Sequence, residues 1–144
     1  MTEKRDSLPI TDDRMTRFWI TLEQTADFVL SSLSMMVGGE IFVPKIPSMK
    51  VLDLAKALAP GVPYHNIGIR PGEKLHEVLI TQDDARNTLE LDDRYMILPS
   101  FKFWDHETQT PPGAKPVPED FVYASDNNTH WLTKEGILEL CGRD

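Results

Sequence analysis

Residues 68–77, which read GIRPGEKLHE, restrict the chain path more than any other stretch of this sequence. Pro71 has no N–H to give to a central β-strand, and Gly72 tolerates the tight bend that follows it. The sequence therefore predicts a strand over residues 64–69, an Arg-Pro-Gly turn, and a helix over residues 73–80.

This turn has the composition of an anion site. If a helix begins at Glu73, the Arg70 guanidinium and the free N–H groups of the first helical turn face the same space, and such an arrangement binds phosphate or diphosphate. The alternative is that Arg70 is a surface arginine at an ordinary strand-to-helix turn. The local sequence is compatible with both interpretations.

The first helix is predicted over residues 22–37, where Thr21 and Gln24 form a capping box and Gly38 follows the end. Apolar residues repeat there at helical spacing, namely Leu22, Ala26, Val29, Leu30, Leu33 and Met36. The other predicted elements are a strand over 40–43 stopped by Pro44, a helix capped by Ser48 and closed by Pro60-Gly61, a hairpin of strands 89–91 and 95–98, and a helix over 134–140.

The formal charge of −8 argues against sequence-independent nucleic-acid binding, which needs clustered Lys and Arg. The single cysteine, Cys141, allows no internal disulfide and is expected to have a packing role. The histidines show no metal-ligand spacing, so no metal site is predicted. Without a long apolar run or a signal-peptide core, the chain is expected to be cytoplasmic and not bound to a membrane.

Four segments in fixed order resemble a known family. They read LPITDDRMTRFWITLEQTADFVL over residues 8–30, GGEIFVPKIPSM over 38–49, IGIRPGEKLHEVLI over 67–80 and YASDNNTHWL over 123–132. Together they resemble the C-terminal portion of the inverting UDP-N-acetylglucosamine 4,6-dehydratases. These are NADP-dependent enzymes that open the pseudaminic acid pathway, and they are extended short-chain dehydrogenases/reductases of the polysaccharide-biosynthesis type.

The resemblance implies an α+β fold: a partial C-terminal substrate-binding subdomain of an extended Rossmann-type dehydratase, with an irregular Pro-rich tail. Residues 1–99 would form the nucleotide-sugar-binding subdomain, and residues 100–144 the tail with its short terminal helix. The prolines that make the tail irregular are Pro111, Pro112, Pro116 and Pro118. In a complete enzyme this subdomain is expected to lie against the carboxyl edge of a Rossmann sheet.

The resemblance also assigns substrate-binding roles. Arg17, in MTRFWI, matches an arginine that such enzymes place against the substrate diphosphate; its alternative is a surface salt bridge with Asp12 or Asp13. Glu73 matches an acid that accepts hydrogen bonds from the ribose hydroxyls; its alternative is an acid favoured in the first turn of a helix. With Arg70, these are the three predicted substrate-binding residues.

The family's cofactor and catalytic signatures are not found in these 144 residues. No G-x-G-x-x-G turn occurs, and no tyrosine is followed by lysine four positions later; the residues at those places are Gly68, Pro99 and Asn127. We therefore predict no catalytic, cofactor-binding or metal-binding residue, and no activity for the isolated chain, although NADP is implied for the full-length family.

Two classes of function follow. In the first, the chain is the UDP-sugar-binding part of an inverting 4,6-dehydratase, or of a related epimerase or dehydratase, complemented by a separate Rossmann half. Full-length members are expected to be homo-oligomers. In the second, it is a non-catalytic truncated fragment or an interaction module.

Overall fold

The structure is a computed structural model that describes residues 7–101 and 110–142. It confirms the predicted α+β class. In chain order the elements are β1 (Leu8–Ile10), β2 (Thr16–Phe18), α1 (Leu22–Met35), β3 (Ile41–Pro44), β4 (Ser48–Lys50), α2 (Val51–Leu58), β5 (Tyr64–Asn66), β6 (Val78–Ile80), α3 (Gln82–Ala85), β7 (Thr88–Glu90), β8 (Arg94–Ile97), β9 (Lys115–Pro116), β10 (Tyr123–Ala124) and α4 (Lys134–Leu140).

The chain forms two compact units, each built from segments distant in sequence. The first unit comprises Pro47–Glu77 and the described parts of Met1–Trp19 and Ala124–Asp144; the second comprises Ile20–Ile46 and the described part of Val78–Tyr123. The sequence-based division into a nucleotide-sugar-binding subdomain over residues 1–99 and a tail over residues 100–144 stays a prediction.

In the first unit, β1 pairs with β5 in parallel and β2 pairs with β4 antiparallel. Helices α2 and α4 pack together around three buried side chains, Met49, Ala57 and Ile137. Cys141 packs against this apolar cluster, as predicted, and Trp19 does so from the end of β2. This unit places Arg17 on β2 beside β4.

The second unit contains a four-stranded antiparallel sheet in the order β3-β8-β7-β9. Strands β7 and β8 form the predicted hairpin, with Glu90 opposite Tyr95. Strand β9 brings Pro116 opposite Leu89 at the edge of the sheet, where a missing N–H is tolerated. Part of the Pro-rich stretch therefore belongs to the sheet.

Helix α1 has the predicted capping box: Thr21 Oγ1 accepts from Gln24 N, and Gln24 Oε1 accepts from Thr21 N. Its apolar stripe, however, is exposed; Leu22 is 86% exposed and Leu30 is 64% exposed. The buried side carries serines instead. Ser31 and Ser32 accept hydrogen bonds from the Arg94 guanidinium, each at 2.8 Å.

The predicted helix over 73–80 is wrong. Residues 71–72 form a turn, residues 75–76 bend, and Val78–Ile80 is strand β6. Long-range partners satisfy the backbone groups of residues 74–77 in an extended path, so helical hydrogen bonds are not needed there. A short helix, α3, forms instead after Thr81, whose side chain and Asp84 make a capping box.

The predicted cap at Ser48 is also wrong. Ser48 lies in β4, and Lys50 occupies the N-cap of α2 without a side-chain hydrogen bond. The Ser48 backbone instead bonds to residues on either side of Trp131: Ser48 O accepts from Leu132 N at 2.9 Å, and Ser48 N donates to His130 O at 2.9 Å. These bridging hydrogen bonds hold Ser48 in extended conformation.

Candidate functional site

The predicted anion-binding turn is closed by Glu73. Glu73 N donates to Arg70 O at 3.0 Å, and Glu73 Oε2 accepts from Arg70 N at 3.3 Å. Gly72, with φ of +80°, supplies the left-handed conformation that the turn requires. The turn is exposed, and no side-chain partner of the Arg70 guanidinium is found within residues 7–101 and 110–142.

Because no helix begins at Glu73, the helix N-terminus proposed for the anion site is absent. Glu73 is therefore not a first-turn helical acid either, and that alternative is wrong. What the turn offers an anion is the Arg70 guanidinium, a planar fork that binds phosphate oxygens bidentately.

Arg17 binds the segment that follows this turn. Its Nη1 donates to Thr16 O at 2.6 Å and to Leu75 O at 3.2 Å, and its Nη2 donates to Lys74 O at 2.9 Å. Its Nε lies 3.6 Å from Glu77 Oε1. The alternative salt bridge to Asp12 or Asp13 is not formed among the described residues: the carboxylate nearest Arg17 is that of Glu77, and Asp12 is bound by Arg14.

A buried polar network next to Arg17 was not predicted from the sequence. Thr16 Oγ1 lies 2.6 Å from Ser125 Oγ and 2.7 Å from His76 Nδ1. Ser125 Oγ also accepts from Glu77 N at 2.9 Å, and Ser125 N donates to Glu77 O at 2.8 Å. Ser125 is fully buried, at 0% exposure, and Thr16 is 3% exposed.

The contacts of Ser125 set the direction of this network. If His76 Nδ1 carried the proton, Thr16 would accept from it and donate to Ser125, whose own hydroxyl proton would then lack an acceptor. A buried unsatisfied donor costs about 1–3 kcal/mol. The favoured order is Ser125 Oγ–H to Thr16 Oγ1, Thr16 Oγ1–H to His76 Nδ1, and the proton on His76 Nε2, which lies 3.9 Å from Asp126 Oδ2.

The YASDNNTHWL segment, the fourth part of the resemblance, supplies Ser125 and folds tightly on itself. Asn127 Oδ1 accepts from Ala124 N at 2.9 Å, and Trp131 Nε1 donates to Asn128 O at 2.6 Å. Asn128 Nδ2 donates to Ser48 Oγ at 3.0 Å, which fastens the segment to β4. The resemblance covers Ser125 through this segment, but it assigned Ser125 no role.

Elsewhere, the second unit has a groove of about 330 Å³ lined by Lys45, Glu90, Leu91, Asp92, Gly113 and Lys115. Lys45 Nζ is bound to Glu90 at 2.7 Å and lies 5.0 Å from the Tyr95 ring centre. Since two acids face two lysines, the groove does not concentrate positive charge. Among the described residues, no cluster of His, Cys, Asp and Glu is arranged to hold a metal, and no helix is long and apolar enough to cross a membrane.

Residues 1–99 match the family described as polysaccharide biosynthesis protein, and the chain belongs to that family. It is similar to the UDP-N-acetylglucosamine 4,6-dehydratase (inverting) of Campylobacter jejuni subsp. jejuni serotype O:2, with 50% identity over 145 residues that cover 97% of this chain and 43% of that protein. The resemblance stated from the sequence is confirmed.

More distant relatives have a similar extent. The UDP-glucose 4-epimerase of Rickettsia canadensis is 34% identical over 137 residues, covering 92% of this chain and 40% of the epimerase. The X-ray structure of Pen from Bacillus thuringiensis has a TM-score of 0.78 and 27% identity, and the match covers 96% of this chain and 41% of that one. The chain thus spans less than half the length of these relatives.

Proposed function

We propose that these residues form the UDP-sugar-binding part of an inverting UDP-GlcNAc 4,6-dehydratase. The observation that carries the proposal is the exposed Arg70 guanidinium, which has no protein partner in the described residues, on a turn closed by Glu73. A diphosphate carries about two negative charges, and a free guanidinium is its natural receptor. The 50% identity to a dehydratase of this name supports the choice of substrate class.

Each predicted residue has a role in this proposal. Arg70 binds the diphosphate, and Glu73 accepts hydrogen bonds from the ribose hydroxyls while closing the turn. Arg17 contributes mainly by placing the segment after the turn. Its Nη2 makes one hydrogen bond, to Lys74 O, and so retains one N–H for a phosphate oxygen.

The described residues do not fit NADP, the cofactor implied for the full-length family. A dinucleotide turn follows a strand and opens a helix, whereas Gly38-Gly39 follow α1 and precede β3. In a complete enzyme NADP would supply the hydride acceptor and donor, and we assign its binding and the acid–base groups to residues outside these 144. This chain then binds and orients the sugar nucleotide, in the cytoplasm, at the entry to pseudaminic acid synthesis.

Titration calorimetry of the 144-residue chain with UDP tests the proposal. Wild-type protein should bind UDP, and Arg70→Ala should bind it much more weakly. NMR of UDP-GlcNAc incubated with the chain and NADP should show no product. Absence of UDP binding by a folded wild-type chain would overturn the proposal.

The second candidate function, an interaction module without a nucleotide ligand, is favoured by the exposed apolar stripe of α1. The same titration separates the two. A module of that kind would show no heat with UDP, whereas the binding part of a dehydratase would show saturable heat that Arg70→Ala removes.

A further inference from the structure

Within residues 70–77 the long-range hydrogen bonds lie at the Glu77 end, and the nearest one before Arg70 runs from Ile67 N to Ile10 O at 2.8 Å. At the Glu77 end, Lys74 and Leu75 carbonyls are held by Arg17, Leu75 O also accepts from Thr16 N at 3.2 Å, and Glu77 is held by Ser125. At the Arg70 end, the hydrogen bonds found are those between Arg70 and Glu73 themselves. The turn therefore lies between the attachment at Ile67 and the attachment at residues 74–77, and its position depends on both.

Ser125 provides the most concentrated part of this attachment. Its backbone N–H and its hydroxyl both bind Glu77, so that one residue satisfies the carbonyl and the amide of the last residue in the segment. Through Thr16, the same hydroxyl reaches the side chain of the preceding residue, His76. The Ser125 hydroxyl thus binds the Glu77 amide directly and the His76 ring through Thr16.

We infer that Ser125, with Thr16, is a positioning residue for the Arg70 turn, and that this hydroxyl pair sets the affinity for the nucleotide diphosphate. The inference rests on the proposed function. Ser125 does not touch the ligand in this scheme. Its loss leaves Glu77 N without an acceptor and removes the hydrogen bond that Thr16 Oγ1 accepts, and relaxation of the segment to regain partners moves the turn that carries Arg70.

A purely structural role for Ser125 would predict something different. Unit stability would fall, but a folded variant would bind UDP as wild type does. Ser48 provides the matched control, because it is also a serine at 0% exposure in the same unit, and its hydroxyl holds Asn128 on the segment that carries Ser125 without binding residues 70–77. Ser125→Ala and Ser48→Ala thus remove the same group from equally buried sites.

The experiment measures UDP affinity by calorimetry and amide exchange over residues 70–77 for Ser125→Ala, Thr16→Val, Thr16→Ser and Ser48→Ala. One neutral hydrogen bond corresponds to a loss of roughly three- to tenfold in affinity. We expect that loss and faster exchange for Ser125→Ala and for Thr16→Val. Thr16→Ser keeps the hydroxyl and should restore both, and Ser48→Ala should leave both as in wild type.

The outcomes separate the two claims. If wild type binds UDP but neither Ser125→Ala nor Thr16→Val weakens binding, the positioning role is wrong and the proposed function stands. Equal losses in Ser48→Ala and Ser125→Ala also overturn it, since general loosening of the unit would then suffice. If folded wild type does not bind UDP, the proposed function itself fails. Should Ser125→Ala not fold, Thr16→Val and its Thr16→Ser counterpart decide the matter.

Discussion

Glu73 and Arg70 exchange two hydrogen bonds, one through the backbone and one through the Glu73 carboxylate. The residue proposed to meet the ribose therefore also shapes the turn that presents the guanidinium. Only Oε2 is used in this contact, so Oε1 is left to accept from a diol. Substitutions at Glu73 will consequently act on Arg70 as well as on the ribose.

Arg70→Ala should weaken UDP binding by roughly tenfold or more, because a hydrogen bond to a charged group contributes about 1.5–3 kcal/mol. Arg70→Lys should recover only part of it, since an ammonium lacks the planar fork. Calorimetry with UDP and UMP provides the measurement, and the loss should shrink for UMP. Arg86→Ala, at another exposed arginine, is the control. Equal losses for UDP and an uncharged sugar would indicate a folding role instead.

Arg17→Ala should act differently, because its guanidinium already holds the Lys74 and Leu75 carbonyls. We expect a lower free energy of unfolding together with weaker binding, and a similar fractional loss of affinity for UDP and UMP. Urea unfolding and calorimetry on the same samples measure both. A loss confined to UDP, with unchanged stability, would show that Arg17 acts directly on the second phosphate.

The tautomer of the neutral His76 ring can be measured directly by NMR. Because the buried Ser125 hydroxyl has Thr16 as its acceptor, neutral His76 should carry its proton on Nε2. A long-range proton–nitrogen correlation spectrum distinguishes the two ring nitrogens. Thr16→Val removes the constraint on Nδ1, and the tautomer ratio should then move toward a mixture. A proton on Nδ1 in wild type would contradict the hydrogen-bond order.

Acid should weaken the turn that contains Asp12. Hydrogen bonds from the Arg14 side chain and then from its backbone N–H lower the pKa of Asp12 from 3.8 to about 2. A carboxyl with a lowered folded-state pKa stabilises the fold above its unfolded pKa, and that contribution is lost as pH falls through the folded value. In urea unfolding, the stability gap between wild type and Asp12→Asn should be constant above about pH 5 and close between about pH 4 and 2.

Arg94→Lys should lower the free energy of unfolding by about 1–3 kcal/mol, because a buried hydrogen-bonded partner is lost. Arg94 is 4% exposed, lies 4.6 Å from the Phe28 ring centre, and binds both carboxylate oxygens of Asp93. A lysine cannot reproduce this fork. Arg86→Lys, at an exposed arginine 3.7 Å from Asp83, should change little in the same urea titration.

Local signals in the sequence predicted the elements that depend on local contacts. The Thr21 capping box predicted the start of α1, the strands predicted over 89–91 and 95–98 correspond to the β7–β8 hairpin, and helix α4 lies where it was predicted. In each case, the residues that define the element are a few positions apart. The family resemblance, carried by long strings, added the class of protein.

The failures have the opposite cause. Residues 74–77 were predicted as helix from their own composition, but Thr16, Arg17 and Ser125 satisfy their backbone from positions 48 or more residues away. Ser48 was likewise drawn into β4 by residues near Trp131. Tertiary partners of this kind outweigh propensity differences of a few tenths of a kcal/mol per residue. The buried hydroxyl pair of Thr16 and Ser125 could not be predicted from the sequence for the same reason, since its members are far apart in the chain.

Helix α1 reverses the usual relation between side-chain chemistry and tolerance to substitution. Its leucines are largely exposed, so polar replacements at Leu30 or Leu33 remove little packing among the described residues, while the small polar Ser32 supports a buried cation. Hydropathy alone would therefore give the wrong order of tolerance to substitution among the positions of this helix. Self-association of the chain can therefore be reduced by polar substitutions on the exposed apolar face of α1, provided that Ser31 and Ser32 are kept.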